Sequence, residues 1–409
     1  MMKKWLHNLI YLFFFLLPWQ VVWLISVPEI SGVKWQYGTM GIYMTEILLW
    51  VILLLALARW IKERGQVKYK RLSKLKALAL GSFGGFLLWS AISVFWSEQN
   101  VVSWYVWIKL LEATALVLVV VTEEIKWNKL AFVILLSGGA QSLLAFIQFM
   151  TQTVFGSSIL GMSNQLAQNA GAIVMEVGGA RYLRAYGSLM HPNILGGFLV
   201  VVLMIGAWQY TLESSRGKKQ VILFLSLLNL LGLVLTFSRS AVLAGLIGLV
   251  ILSFNFLNKK TSKEIKLEFK KWLLAMLLLS LALGVIFWPF LWSRGDLHNR
   301  LENISVAQRV DSVKEADKLI VREAFKGVGL GNYTWQVLKN NNFKQPWLAQ
   351  PVHNIWLLVT AELGLIGLGL FLVWQLTMLV YYIKNKNFLA LSFLVIFLTV
   401  SVFDHYWLT

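Results

Sequence analysis

The chain has no cysteine, so disulfides, zinc ribbons and thiol chemistry are excluded. It has 19 acidic residues against 37 lysines and arginines. No GxxxxGKS/T pattern occurs and no GxGxxG pattern follows a strand-like segment, so nucleotide chemistry is not expected. In contrast, 58% of the 409 residues are hydrophobic and the mean hydropathy is +0.68, which indicates a membrane protein.

Apolar stretches of about 17–25 residues recur between short charged linkers, and each is long enough to cross a hydrocarbon core of about 30 Å. The first stretch is too long for the apolar part of a signal peptide and has no small-residue cleavage site after it, so we predict a retained helix. We therefore expect an all-α polytopic membrane protein with about 11–12 transmembrane helices. The predicted spans lie near residues 8–26, 40–58, 77–97, 101–121, 130–150, 193–212, 221–237, 240–257, 272–290, 360–383 and 388–403.

The net charge of +18 lies mainly in linkers between the predicted spans, most heavily at 59–76 and 258–271. Lys and Arg accumulate in cytoplasmic loops and contact anionic lipids, which explains this charge without nucleic acid as a partner. With these linkers inside, the N-terminus is cytoplasmic and the C-terminus lies outside. Two long outer loops result, at 151–192 and 291–353, and helical spacing from Val310 to Phe325 predicts that the second loop is partly helical.

Arginines on the outer side need an explanation, because topology normally places them inside. Arg181 and Arg184 precede a predicted span, together with His191, and Arg239 lies in an apolar run with no acid nearby in the sequence. An arginine at membrane depth is costly unless it is paired or faces water. A guanidinium binds phosphate oxygens in bidentate fashion, so an outer anion would satisfy these residues. Alternatively, Arg239 marks a tight turn and extends to the interface.

His353 stands at the start of a long apolar helix in QPVHNIWLLVTAELG. The positive end of a helix dipole disfavours an imidazolium there. A neutral imidazole near outer arginines suits a general base that activates a hydroxyl while the arginines hold an anionic leaving group. The alternative is a helix-terminal residue that only hydrogen-bonds the loop. The 5 histidines are far apart in the sequence and form no HExxH pattern, so neither a metal nor another cofactor is predicted.

Three separated motifs together resemble those of the O-antigen ligase and O-antigen polymerase superfamily. RAYGSLMHPNILGGFL (184–199) is similar to the family's arginine, glycine and HPN element, and LTFSRSAVLAG (235–245) is similar to its serine-arginine element. The third motif is an arginine helix and a GVGLGNY turn (309–333), followed by HNIWLLVTAELGLIGLGLFL (353–372). The resemblance covers about 180–404.

The resemblance implies two parts, N-terminal transmembrane helices at 1–150 and a ligase- or polymerase-like membrane domain at 151–409 that includes both outer loops. Ligases of this family usually have a twelfth span, which would follow the eleven predicted here. The resemblance further implies a GT-C glycosyltransferase of the cytoplasmic (inner) membrane, whose site faces the periplasm or exterior. Such enzymes act in lipopolysaccharide and other cell-envelope polysaccharide biosynthesis.

The family's chemistry implies transfer of a glycan from undecaprenyl pyrophosphate to an acceptor hydroxyl, without a metal and with inversion. By motif position, Arg184 and Arg239 bind the pyrophosphate and His353 is the catalytic residue. The acceptor is left open between the lipid A core, a growing polymer and a protein. The remaining positions, with supporting roles, are Arg181, His191, Asn193, Arg309, Asn354 and Asp404.

A flippase or exporter of polysaccharide lipids is the competing interpretation. Such transporters usually have repeated halves, with intramembrane charges in both. The sequence has no evident internal repeat, and its candidate outer charges cluster at two loops and one turn. This pattern favours one fixed site, and therefore an enzyme.

Overall fold

The computed structural model describes residues 2–63, 73–296, 299–341 and 345–405. In these ranges the chain is mainly helical, with short antiparallel hairpins in some connections. The helices are α1 (Met2–Leu16), α2 (Met44–Lys62), α3 (Lys74–Ser93), α4 (Asn100–Thr122), α5 (Trp127–Thr151), α6 (Pro192–Leu212), α7 (Arg216–Leu235), α8 (Arg239–Phe256), α9 (Lys263–Ile286), α10 (Trp288–Ser293), α11 (Arg300–Arg322), α12 (Tyr333–Asn341), α13 (Ile355–Lys384) and α14 (Phe388–Phe403). The strands are β1 (Val22–Ser26), β2 (Glu29–Ile30), β3 (Val33–Lys34), β4 (Met40–Tyr43), β5 (Thr153–Val154), β6 (Gln165–Leu166), β7 (Val174–Val177) and β8 (Ala180–Leu183), and the pairs are β1 with β4, β2 with β3, β5 with β6 and β7 with β8.

Nine helices within these described ranges are long and apolar enough to cross a membrane: α2 to α9 and α13. The predicted class, an all-α polytopic membrane protein, is confirmed. The helices α11 and α12 lie in the second long connection, so the prediction that this connection is partly helical is also confirmed. The last predicted span is α14, a shorter apolar helix of 16 residues.

The first predicted span, 8–26, is divided between two elements. Helix α1 has 15 residues and ends at Leu16, and the following strand β1 pairs with β4. Pro18 has no amide hydrogen for a continuing helix and disfavours helical geometry in the residue before it. The β-branched residues beyond it suit a strand. The prediction of one continuous span here was wrong, because hydropathy does not register this break.

The chain forms two compact units, each assembled from separate stretches of sequence. The first unit comprises Met1–Val21, Glu124–Ser305 and Lys386–Val400, and the second comprises Val22–Glu123, Val306–Asn385 and Ser401–Thr409. In the first unit α6 is the most buried long helix and packs against α5, α7, α8 and α9. In the second unit α3 packs along α13. The division predicted between residues 150 and 151 stays a prediction.

The helical hydrogen bonding of α13 is interrupted at one point. There the glycine-rich turn before α12 forms hydrogen bonds with the backbone of α13. Gly364 has φ 67° and ψ −173°, which interrupts the helical hydrogen bonds. The amide of Val328 donates to the carbonyl of Ala361 at 2.9 Å, and the amide of Gly329 donates to the carbonyl of Glu362 at 2.8 Å. Beyond the break, the amide of Leu365 donates to the carbonyl of Ala324 at 2.8 Å. The turn therefore replaces hydrogen bonds that the helix itself does not make.

Side chains complete this junction. The buried carboxylate of Glu362 accepts hydrogen bonds from the amides of Gly331, at 2.8 Å, and Tyr333, at 3.3 Å. The side chain of Asn332 accepts from the amide of Gln99 at 2.8 Å and donates to the hydroxyl of Ser103 at 2.7 Å. The turn is thus bonded to α13 on one side and to the start of α4 on the other. This explains the asparagine and the acidic residue of the third sequence motif.

We expect Gly364→Ala to lower the free energy of unfolding by about 3 kcal/mol, because this backbone conformation is nearly exclusive to glycine. A Cβ at Gly364 would also lie 2.1 Å from the carbonyl oxygen of Phe325. Thermal unfolding of the detergent-purified protein measures the effect. The matched control is Gly369→Ala on the same helix, where an added Cβ meets nothing. Equal melting temperatures for the two variants would contradict this account of the junction.

Candidate functional site

His353 belongs to a group of three side chains in the second unit. Its Nδ1 lies 3.3 Å from Oδ1 of Asp404, whose side chain is buried. The ring of His405 lies 4.9 Å from the ring of His353, and the amide of His405 donates to Oδ1 of Asp404 at 2.9 Å. The side chain of His353 is 27% exposed, so this group is accessible to solvent through His353.

Asn354 positions this group at the start of α13. It is the N-cap residue, and its side-chain oxygen accepts from the amide of Leu357 at 3.0 Å. Its side-chain nitrogen donates to the carbonyl of Val402, at the end of α14, at 3.2 Å. Asn354 therefore ends the loop that carries His353 and is hydrogen-bonded to the segment that carries Asp404. The predicted supporting residues Asn354 and Asp404 both lie with His353.

The buried surroundings of the group favour a neutral imidazole at His405. Burial lowers the pKa of His405 to about 4, so His405 is neutral at neutral pH. Burial, and then the charge of Asp404, raises the pKa of Tyr37 to about 12. Where Nδ1 of His353 carries the proton, it donates to Oδ1 of Asp404 and leaves Nε2 of that ring as an acceptor. This is the arrangement of a general base held by a carboxylate.

Arg184 is buried in the first unit and joins three segments. Its Nε donates to the carbonyl of Thr236, after α7, at 2.7 Å, and its Nη2 donates to Oδ1 of Asn193, in α6, at 2.6 Å. The preceding His191 is the N-cap of α6, with Nδ1 accepting from the amide of Asn193 at 3.0 Å. The HPN sequence is therefore a helix start: His191 caps it, Pro192 occupies its first turn, and Asn193 holds the arginine.

Arg239 begins α8, immediately after a tight turn in which Phe237 has a positive φ of 48°. Its Nη2 donates to Oε2 of Glu302 at 2.7 Å, and its Nη1 donates to the carbonyl of Arg294. Glu302 also pairs with the guanidinium of Arg294. Arg239 has no acidic neighbour in the sequence, but the fold supplies one from the second long connection. The turn expected by the alternative interpretation is also present.

Sequence reasoning missed Glu302 and Arg294. Glu302 is one acid in a long connection, and no spacing links it to Arg239. The three side chains together have two positive charges and one negative charge, and that of Arg239 is 52% exposed. The accessible guanidinium of Arg239 is suitable for binding an anion.

The other predicted residues are Arg181 and Arg309. Arg181 is exposed on β8, and Arg309 is half-buried on α11, where its carbonyl accepts from the hydroxyl of Ser312 at 2.8 Å. Arg184 and Arg239 belong to the first unit and His353 to the second. That they share one cavity stays a prediction.

His353, Asp404 and His405 each offer one metal-ligand atom, and these atoms lie within 4.8 Å of one another. The predicted absence of a metal stays a prediction as well.

We expect Glu302→Gln to destabilise the protein by about 2 kcal/mol, because it removes the mostly buried carboxylate that pairs with Arg294 and Arg239. The measurement is thermal unfolding of the purified protein. The matched control is Asp311→Asn on the same helix, where an exposed pair with Lys314 is removed. The assignment of Glu302 fails if the two variants unfold at the same temperature.

Part of the chain matches a known protein family. The O-antigen ligase family model matches residues 224–372. The matched segment runs from α7 into α13 and includes Arg239, Arg309 and His353. Arg184 and Asp404 lie outside it. No curated protein matches the chain.

Proposed function

We propose that this chain, whose residues 224–372 match the O-antigen ligase family model, transfers or polymerises a glycan carried on undecaprenyl pyrophosphate. The observation that carries this proposal is the pair formed by His353, just before α13, and the buried Asp404, just after α14. This pair combines an accessible imidazole with a carboxylate that holds its tautomer. The function is glycosyl transfer in surface polysaccharide biosynthesis.

The reaction follows from the group around His353. Asp404 accepts the Nδ1 proton, and Nε2 of His353 takes the proton of the acceptor hydroxyl. The acceptor oxygen attacks the anomeric carbon from the face opposite the leaving group, so a new glycosidic bond forms as the bond to the pyrophosphate oxygen breaks. The configuration inverts, and the electron pair leaves with the lipid pyrophosphate. No metal ion is needed for this step.

The arginines have the complementary role. The guanidinium groups of Arg184 and Arg239 bind the pyrophosphate oxygens, where negative charge increases as the glycosidic bond breaks. Arg184 is held by Thr236 and Asn193 before substrate arrives, so its orientation requires little further ordering. Arg239 is half exposed and held from one side by Glu302, which leaves part of its guanidinium accessible.

Location and substrates complete the proposal. The reaction takes place in the cytoplasmic membrane, at its periplasmic or exterior face, and the N-terminus is cytoplasmic. The donor is a glycan on undecaprenyl pyrophosphate. The acceptor is a hydroxyl of the lipid A core, of a growing polymer or of a protein. An assay that offers each acceptor class separately with one labelled donor identifies which of them receives the glycan.

Substitution of the base tests the mechanism directly. In purified protein supplied with undecaprenyl-pyrophosphate glycan and acceptor, we expect His353→Ala to reduce lipid pyrophosphate release by about 10²–10⁴-fold. The control is His7→Ala on α1 in the first unit, and the melting temperature of each variant verifies the fold. Turnover of His353→Ala at the wild-type rate would remove His353 as the base. Donor binding without release by the wild-type protein would favour an exporter.

The arginines are tested by variants that keep the charge. We expect Arg184→Lys and Arg239→Lys each to raise the KM for the donor by about tenfold, because lysine cannot bind phosphate in bidentate fashion. Arg216→Lys, at the exposed start of α7, is the control and should leave the KM unchanged. Wild-type KM values in both test variants would show that neither guanidinium binds the donor.

A further inference from the structure

The group around His353 also has the composition of a metal site. It contains two imidazoles and one carboxylate, and each can give one ligand atom. Zinc and related transition-metal cations favour this ligand set, whereas magnesium and calcium favour sites built from oxygen alone. His353 is distant in the sequence from the adjacent pair Asp404 and His405, so no spacing motif indicates the site.

The distances within the group suit one cation. Oδ1 of Asp404 lies 3.3 Å from Nδ1 of His353 and 3.5 Å from Nδ1 of His405. In tetrahedral zinc coordination, with bonds of about 2.1 Å, neighbouring ligand atoms are about 3.4 Å apart. Both contacts of the carboxylate therefore match edges of such a tetrahedron. The third edge, between the two histidines, is at most 4.8 Å long, because all three ligand atoms lie within that distance of one another.

One ligand atom is poorly satisfied. Among the described residues, Nδ1 of His405 is buried and has no hydrogen-bond partner. A buried polar atom without a partner is costly, and a bound cation would satisfy it. Oδ1 of Asp404 is already oriented by the amide of His405 at 2.9 Å. His353 is partly exposed, which leaves a path by which a cation can enter.

We propose that His353, Asp404 and His405 bind one divalent transition-metal cation of the zinc type, and that this ion inhibits glycan transfer. A cation on Nδ1 of His353 takes the lone pair of that nitrogen, so the ring carries its proton on Nε2. Nε2 then cannot accept the proton of an acceptor hydroxyl. Binding follows from the geometry alone, and inhibition rests on the proposed function.

The binding experiment uses the full chain in detergent, treated with a chelator and then titrated with Co²⁺, whose visible absorption reports four-coordinate binding. We expect one ion per chain, displacement by Zn²⁺, and no displacement by Mg²⁺. His405→Gln should weaken Co²⁺ binding at least tenfold, and His353→Gln is a second variant in case the first does not fold. His7→Gln is the matched control and should bind as wild type does.

Absence of stoichiometric Co²⁺ binding by folded wild-type protein would overturn the proposal. Co²⁺ binding to folded His405→Gln with wild-type affinity would overturn it equally, because the ion would then lie elsewhere.

The activity experiment measures lipid pyrophosphate release at increasing Zn²⁺. We expect Zn²⁺ to inhibit the wild type, a chelator to restore the rate, and His405→Gln to require at least tenfold more Zn²⁺ for equal inhibition. A requirement of the wild type for the ion would overturn the inhibitory role. Stoichiometric binding by protein that shows no transfer at all would support the metal site while the proposed function fails, so the two failures are distinguishable.

Discussion

The buried carboxylate of Glu362 has the central structural role in the second unit. A carboxylate inside an apolar helix is costly unless hydrogen bonds satisfy it, and the amides of Gly331 and Tyr333 do so. This requirement brings the glycine-rich turn against α13, where Gly364 opens the backbone for further bonds. The start of α13 is thereby held, and His353 stands immediately before that start. The position of the imidazole therefore depends on a junction several turns away.

Arg184 and Arg239 are accommodated in different ways. Arg184 is buried and donates to the oxygens of Thr236 and Asn193, which order its guanidinium. Arg239 is half exposed and shares Glu302 with Arg294. In both cases the fold offsets the cost of a cation near the membrane and retains its ability to attract an anion. Such groups suit a donor whose leaving group is a pyrophosphate.

The sequence-based predictions were most accurate where a local pattern was sufficient. Long apolar runs predicted nine of the spanning helices, and helical spacing in the second long connection predicted α11. The prediction of one continuous span at 8–26 was wrong, since average hydropathy conceals the effect of Pro18 on the backbone. Glu302 was missed because its partner Arg239 is distant in the chain, and only the packing of the first unit brings their side chains together. His405 was left outside the predicted site for the same reason.

By itself, the sequence determined that the chain is a polytopic helical membrane protein, and its motifs indicated His353, Arg184 and Arg239 as the residues to examine. These properties follow from hydropathy, residue type and spacing, which act over one helix or one turn. Only the tertiary structure decided the partners: Asp404 and His405 around His353, and Glu302 beside Arg239. These contacts join segments separated by tens of residues. They exist because buried charges and polar atoms must find partners, and the chain's folding decides which partners are within reach.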